Sequence, residues 1–322
     1  MANRVTISCL GPRPLAIEAG TPPREAIDRM IRHWADQLEK VLPDRPDLIV
    51  LPEVCDRPDP LGFPLEEQHA YFRARGSQVR DYLADVAKRH RCYIAYPALS
   101  ESADGGWLNE MQMIDRVGRV MGTYRKHYPT PDESGRRKVR FGTDAPVFEC
   151  DFGRVAAVIC FDLNFDELRL HYAAMKPDLI VFPSMYHGGL MQGYWAYSCR
   201  AHFAGAVAGG PCTILNPLGT ATAGSTNYYS FCTATVNLDC AVLHIDENDV
   251  LFPAIKRKYG RDVTIGEPGY LGCVLLSSES DVFSADDVIE EFGLERIDDY
   301  FDRTRHCRAV AGNADSTDND RH

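Results

Sequence analysis

Three residues with complementary chemistry stand at the ends of apolar runs: a thiol, a carboxylate and an ammonium group. Cys160 ends the run that begins at Val155, Glu53 follows the run 47–51, and Lys126 lies near the end of a run that begins at Val120. A cysteine thiol has an ordinary pKa of about 8.5, so a base or a positive neighbour must activate it at neutral pH. A carboxylate could accept the thiol proton, and an ammonium group could stabilise an oxyanion. Together they predict a thiol nucleophile, although each residue taken alone is more often structural.

The position of Cys160 favours this role. An apolar strand that turns sharply towards a helix exposes its last side chain and directs the next backbone N–H groups towards one point. Histidine is the usual partner of a catalytic thiol, and the chain has ten histidines. None lies in a papain-like or caspase-like local signature, so a Cys–His pair stays open without support.

The elements that must position these residues alternate between strand and helix. Apolar residues at helical spacing from Ile27 to Val41 predict a long helix, and the run 47–51 predicts a strand buried on both faces. The segments 107–114 and 120–128 predict a hairpin. Further strands are expected at Val5–Leu10, Cys92–Ala98, Val155–Cys160, Cys212–Leu215 and Phe231–Leu238, and further helices at Gln78–His90, Asp166–Met175 and near Gly193–Val207. This order predicts a layered α/β fold, in which strand ends gather at one edge.

The chain also repeats one of its own patterns. The segment Pro46–Pro52 returns as Pro177–Pro183 with one residue changed, and each copy follows a predicted helix. Chance similarity among common strand residues is one explanation. The preceding helices favour two related β-α-β halves.

Three sequence blocks resemble the signatures of the nitrilase superfamily, the carbon–nitrogen hydrolases. They are Leu51-Pro52-Glu53, Tyr124-Arg125-Lys126-His127 and Val158–Glu167, and they stand in the order and spacing of that family. Segments 183–185 and 216–219 are similar to later landmarks, so that the resemblance covers roughly residues 3–275. It implies a four-layer α-β-β-α sandwich that usually dimerises.

The resemblance also implies a role for each residue of the candidate site. Cys160 would be the nucleophile, Glu53 the general base and Lys126 the oxyanion stabiliser. The backbone N–H of Phe161 would be a second oxyanion donor, and Glu133 would support the site. No cofactor and no metal is implied.

Two departures from the family pattern stand out. Asp166 occupies the place of a common proline, and the frequent Arg-Ala-x-Glu-Asn element is replaced by Arg200–Ala204. The second change removes polar partners, so the contacts of that element are not carried over. Neither change touches the three catalytic candidates.

The sequence is less informative about the substrate. A linear amide or N-carbamoyl compound, cleaved through a thioester with release of ammonia or an amine, is favoured over a nitrile because such activities are commoner in the resembled family. Tyr186, His187 and Trp195 are candidates to line the pocket, with aromatic core packing as an equal alternative. One of the cations Arg136, Arg137, Lys138 and Arg140 could bind a substrate carboxylate, although a solvated basic run is the simpler interpretation.

Other functions stay open. Nitrile hydrolysis would use the same thiol, and an amine could replace water as the acyl acceptor. A non-catalytic oligomeric interaction protein is the alternative from another class, and the intact candidate set argues against it. A metalloenzyme is disfavoured, because the sequence has no H-E-x-x-H, no H-x-H and no cysteine cluster.

Composition excludes several partners and predicts a compartment. The formal charge of -11 over 322 residues argues against nucleic acid and anionic membranes. The N-terminus lacks the apolar stretch of a signal peptide, and no run approaches the ~18 apolar residues of a membrane span. Eleven scattered cysteines without a C-x-x-C pair predict a reducing, cytoplasmic location. We expect one domain over 1–311 with a C-terminal extension from about 276, a disordered tail at 312–322, and a homodimer or higher homo-oligomer.

Overall fold

The computed structural model describes residues 1–59, 63–266 and 269–318, with side chains to residue 311. These residues divide into two compact units. The larger unit is Arg4–Val236, and the smaller unit combines Met1–Asn3 with the chain from Asn237 onwards. The division falls inside the expected single domain and well before the extension expected from about 276.

Two six-stranded sheets form the centre of the larger unit. Its strands, numbered in chain order, are β1 (Arg4–Leu10), β2 (Leu48–Val50), β3 (Tyr93–Glu101), β4 (Trp107–Ile114), β5 (Val120–Arg125), β6 (Val147–Cys150), β7 (Gly153–Ala157), β8 (Leu179–Ser184), β9 (His202–Val207), β10 (Thr213–Leu215), β11 (Ala221–Gly224) and β12 (Phe231–Asn237). The first sheet has the order β12-β1-β2-β3-β4-β5 and the second the order β11-β10-β9-β8-β7-β6. Each sheet combines parallel central pairs with antiparallel pairs.

The repeated pattern builds equivalent strands in the two sheets. Asp47 donates its backbone N–H to the Thr6 carbonyl over 2.7 Å and accepts the Thr6 N–H on Oδ2 over 2.9 Å. Asp178 makes the same two bonds to Arg154, over 2.9 and 2.8 Å. Each aspartate precedes a strand with parallel neighbours on both sides, β2 in one sheet and β8 in the other. The sequence echo therefore corresponds to two related halves.

Helices connect the strands of the larger unit. They are α1 (Pro23–Leu38), α2 (Leu65–Arg75), α3 (Gln78–His90), α4 (Pro131–Gly135), α5 (Asp166–Met175) and α6 (Leu190–Cys199). Trp34 of α1 and Leu83 of α3 share one buried cluster with Ile49 and Ile94 of the first sheet. On the other side, α5 packs on α6 and α6 packs on β9, while β1 and β2 face β8 and β9. The expected four-layer α-β-β-α sandwich is confirmed.

Two local expectations need correction. The helix expected near Gly193–Val207 ends at Cys199, because Arg200 adopts a left-handed φ of 53° and strand β9 follows. Periodicity cannot separate a short buried strand from a buried helix segment, and all of β9 is buried. Helix α2 was not expected, because its buried residues include the polar Gln68 and Arg75 and interrupt the apolar pattern.

The smaller unit has its own sheet and its own core. Strands β13 (Cys240–His244), β14 (Val263–Gly266) and β15 (Cys273–Ser278) pair antiparallel in the order β13-β15-β14, and helices α7 (Phe252–Tyr259), α8 (Ala285–Phe292) and α9 (Ile297–Asp318) belong to the same unit. Leu243, Ile255, Leu276 and Val288 pack together. Of the tail expected to be disordered, 312–318 continue helix α9 and 319–322 lie outside the described residues. Within the described part of the chain, no helix has the length and apolar character to cross a membrane.

Candidate active site

The four candidate catalytic side chains come from different elements and meet in one cluster. Glu53 follows β2, Lys126 follows β5, Glu133 lies on α4, and Cys160 begins the 3-10 turn Cys160–Asn164 after β7. The Lys126 Nζ lies 2.8 Å from Glu53 Oε1 and 2.8 Å from Glu133 Oε2. The Cys160 thiol lines the same cavity as Glu53, Lys126 and Glu133. The structure therefore brings the predicted residues together.

Lys126 and Glu53 form a buried ion pair. Their side chains are 1% and 4% exposed. Burial lowers the pKa of Lys126, but the charges of Glu53, Cys160 and Glu133 outweigh it and leave that pKa raised. Burial likewise raises the pKa of Glu53, and attraction to Lys126 with hydrogen bonds from Lys126, Cys160 and Asn109 leaves it lowered. At neutral pH the site therefore holds an ammonium group beside a carboxylate.

Cys160 combines a strained backbone with a protonated thiol. Its φ of 51° is left-handed, a conformation that a non-glycine residue adopts at a cost of about 1–3 kcal/mol. Burial and the charge of Glu53 raise the pKa of the thiol, although Lys126 and a backbone hydrogen bond from Met185 oppose this. The Met185 N–H also donates to Glu53 Oε2 over 3.2 Å. The thiol thus needs a general base at the moment of attack, and Glu53 is the carboxylate whose charge acts on it.

Sequence reasoning did not identify Asn109 as a site residue. Its Nδ2 donates to Glu53 Oε1 over 2.8 Å and to Glu133 Oε1 over 3.3 Å, which fixes both carboxylates. Glu133 is further held by the N–H of Thr130 over 2.7 Å, in a capping box at the start of α4. The available signal was a polar residue at an inward position of β4, between Trp107 and Met111, which are both buried.

Asp162 joins the two segments that carry Lys126 and Cys160. It lies two residues after the nucleophile and is fully buried. Its oxygens accept the Tyr124 hydroxyl and the Tyr128 N–H, each over 2.7 Å, from the segment around Lys126. Burial raises the pKa of Asp162 to about 6, against the opposing effect of these hydrogen bonds. This carboxyl is therefore a titratable support for the site.

The three aromatic residues expected to line the substrate pocket lie outside the cavity next to Cys160. Trp195 is fully buried and donates Nε1–H to the Leu163 carbonyl over 2.8 Å, so it supports the turn after the nucleophile, as the alternative of core packing has it. The Tyr186 hydroxyl accepts from Asn164 Nδ2 over 3.0 Å. The His187 Nδ1 accepts from the Gly189 N–H over 3.1 Å. Substrate contact by Tyr186 or His187 stays a prediction.

A cavity of about 210 Å³ opens over the cluster. Ligand pockets are commonly ~300–1,000 Å³, so this one suits a small substrate. Its wall includes Glu53, Lys126, Glu133, Cys160, Asn109 and Arg57. A nucleophilic thiol, a base and a fixed cation around one small space can carry out acyl transfer, in which a carbonyl oxygen becomes negatively charged.

Comparison with known proteins gives consistent matches. The family model for carbon-nitrogen hydrolases matches residues 16–237. The omega-amidase NIT2 of Danio rerio is 26% identical over 198 residues, which is 53% of this chain and 69% of the relative. Three further curated relatives are matched over 48–50% of their own lengths, so this chain aligns with about half of each.

Solved structures share the fold at low sequence identity. The NitFhit protein of C. elegans superposes with a TM-score of 0.63 at 17% identity, covering 80% of this chain and 65% of that protein. An amidase from Nesterenkonia sp. AN1 in complex with acrylamide superposes with a TM-score of 0.58 at 16% identity. The match covers 79% of this chain and 97% of that amidase.

Proposed function

Because this chain belongs to the carbon–nitrogen hydrolase family, the nitrilase superfamily, we propose that it hydrolyses the carbon–nitrogen bond of a linear amide or N-carbamoyl compound through Cys160. The observation that carries the proposal is the buried ion pair of Lys126 with Glu53, which lines one cavity together with the Cys160 thiol. The name of the omega-amidase relative and the acrylamide complex of the amidase support an amide over a nitrile.

In the first half of the reaction, Glu53 takes the thiol proton while the Cys160 sulfur attacks the carbonyl carbon. The carbonyl electron pair moves to oxygen, where the Lys126 ammonium group and the Phe161 N–H stabilise the charge. Phe161 is the second residue of its 3-10 turn, and N–H groups at the start of a helical turn have no acceptor within that turn. Each such donor contributes about 10²–10³ in rate.

In the second half, the carbon–nitrogen bond breaks and the leaving nitrogen takes the proton from Glu53. Ammonia or an amine departs, and a thioester to Cys160 remains. Glu53 then accepts a proton from water as the water oxygen attacks the thioester carbon. The carboxylic acid is released, and the proton on Glu53 returns to the sulfur.

Release of ammonia tests the proposal. Aliphatic amides, N-carbamoyl amino acids and nitriles are incubated with the wild type, with Cys160→Ala and with Cys150→Ala, a partly buried cysteine on β6 that serves as matched control. We expect ammonia from one class, its loss in Cys160→Ala and its retention in the control. An acyl adduct on Cys160, found by mass spectrometry after rapid quenching, would support the thioester. Activity that persists in Cys160→Ala would refute the mechanism.

We also propose that the protein is a homo-oligomer. Helices α5 and α6 expose four large apolar side chains: Leu170, Met175, Leu190 and Tyr194. Such a surface suits contact with a second copy of the chain. Analytical ultracentrifugation of the wild type and of Leu170→Glu tests this, with a monomeric wild type as the refuting outcome.

A further inference from the structure

Arg57 lines the catalytic cavity, and none of the described acids pairs with its charge. The residue lies four positions after Glu53 and is partly buried. Its Nε is inaccessible to solvent and has no hydrogen-bond partner, and no acid within the described residues forms an ion pair with its guanidinium. Burial lowers the pKa of Arg57, with Glu53 opposing this through space. A buried donor without an acceptor is uncommon in a native structure and calls for an explanation.

The neighbouring cations all have acids bonded to them. Lys126 forms ion pairs with Glu53 and with Glu133. Asp132 forms ion pairs with two arginines: its Oδ1 lies 2.8 Å from Arg136 Nε, and its Oδ2 lies 2.9 Å from Arg137 Nε. Among the described residues, Arg57 is therefore the cation of the cavity lining that has no acid bonded to it.

A nearby arginine shows how this fold satisfies a buried guanidinium. Arg75 is 6% exposed, and its Nη1 lies 2.7 Å from Oδ2 of the fully buried Asp56. Its Nη2 donates to the Leu99 carbonyl over 2.7 Å. Asp56 is the chain neighbour of Arg57 but points to Arg75. The contrast indicates that the acceptor for Arg57 is supplied from the cavity.

We propose that Arg57 binds a carboxylate of the substrate whose carbon–nitrogen bond is cleaved at Cys160. This deepens the proposed function and rests on it. The substrate class is then a small monoanionic amide, such as a monoamide of a short dicarboxylic acid or an N-carbamoyl amino acid. A planar guanidinium matches a carboxylate through two parallel hydrogen bonds, and the Arg57 guanidinium has no acid of the described residues bonded to it. Arg137, which also lines the cavity, is already engaged by Asp132 and takes a lesser part.

A purely structural role makes a different prediction. If Arg57 only offset the charges of Glu53 and Glu133, its removal would impair cleavage of every amide alike. If it binds the substrate, removal would raise KM for anionic amides and spare neutral ones. Substrates matched in chain length and differing in the carboxylate therefore separate the two roles.

The experiment compares the monoamide of butanedioic acid with butanamide, using the wild type, Arg57→Gln, Arg57→Lys and Arg140→Gln. Arg140 is the matched control, because it is an arginine next in sequence to the cavity-lining Val139, is 52% exposed and pairs with Asp104 outside the cavity lining. We expect the wild type to prefer the anionic amide. Arg57→Gln should lose roughly 10- to 100-fold in kcat/KM for the anionic amide, mainly through a higher KM, because the charge-assisted hydrogen bonds to the carboxylate are removed. Butanamide cleavage should change less than about threefold, and Arg57→Lys should recover part of the loss.

Binding gives a second measurement that does not require turnover. Calorimetric titration of the Cys160→Ala protein with the same monoamide should show affinity that is lost in Cys160→Ala/Arg57→Gln, and circular dichroism reports whether each variant is folded. Equal loss on both substrates, or no anionic preference in the wild type, would overturn the assignment of Arg57. Failure of the proposed function would appear differently, as an unchanged rate in Cys160→Ala or as no ammonia from either amide despite calorimetric binding.

Discussion

Replacing Lys126 by glutamine should expose how strongly two carboxylates depend on one cation. Lys126 bonds to Glu53 and Glu133, whose side chains are 4% and 18% exposed. Removing one partner of a buried ion pair costs about 3–5 kcal/mol, because the remaining charge is buried without compensation. Domains are typically stable by about 5–15 kcal/mol, so we expect a folded protein with a much lower free energy of unfolding.

The decrease in the free energy of unfolding caused by Lys126→Gln should be larger at higher pH. In the wild type the pKa of Glu53 is lowered, so its contribution is present above the ordinary value of 4.5 and is lost as pH falls through the lower folded pKa. In Lys126→Gln, burial and repulsion from Glu133 should raise the Glu53 pKa above 4.5. The native state then binds more protons than the unfolded state, and stability falls as pH rises, by about 1.4 kcal/mol for each unit of pKa shift. The deficit should therefore be larger at pH 8 than at pH 5.

Urea unfolding at both pH values measures this deficit. The matched control is Arg125→Gln, which removes the adjacent cation, 54% exposed and 3.4 Å from Glu110. Glu110 is 7% exposed and keeps hydrogen bonds from Ser100 and Gln112 when Arg125 is removed. The control should therefore lose less stability than Lys126→Gln and change less between the two pH values. A deficit below about 1 kcal/mol at pH 8 in Lys126→Gln, or a deficit independent of pH, would refute the buried network.

Two further predictions concern protons at the site. Glu53→Gln should lower kcat for amide hydrolysis by about 10²-fold or more, because the Cys160 thiol loses the base that takes its proton during attack. Ammonia release measures the rate, and an unchanged rate would show that another group is the base. Asp162 has a folded pKa of about 6 against an ordinary 3.8, so it binds protons more tightly when folded, and wild-type stability should fall by roughly 3 kcal/mol as pH rises through that window. Asp162→Asn should lack this slope in unfolding titrations, and an identical slope would contradict the proposed origin.

Local patterns predicted a layered α/β fold with three candidate residues at strand ends, and the resemblance to the nitrilase superfamily implied the four-layer sandwich and the roles of those residues. Glu53, Lys126 and Cys160 each follow an apolar run, and such runs form strands whose ends meet. The boundary between α6 and β9 was missed, because it depends on a single left-handed residue, Arg200, inside a continuous apolar segment.

Residues that act through distant contacts could not be predicted. Asn109 meets Glu53 across 56 residues of chain, and nothing in its local sequence specifies that bond. Whether Arg57 is paired with its neighbour Asp56 could not be read from the sequence, because Asp56 bonds to Arg75, 19 residues away in the chain. Trp195 was a pocket candidate because it is an aromatic residue that follows a predicted strand. Its hydrogen bond to the turn after the nucleophile depends on packing between distant segments.

The assembly of the site from separate strand ends also bears on how the chain folds. The bond from Lys126 to Glu53 closes a loop of 73 residues, and the bond from Met185 to Glu53 closes one of 132. Contacts so distant in sequence form late, because closing long loops costs entropy before the contacts reward it. During refolding, helical signal should therefore return before catalytic competence, and partly folded chains would carry an exposed Cys160 thiol without its base. Recovered activity is then a measure of the completed pairing of the two sheets.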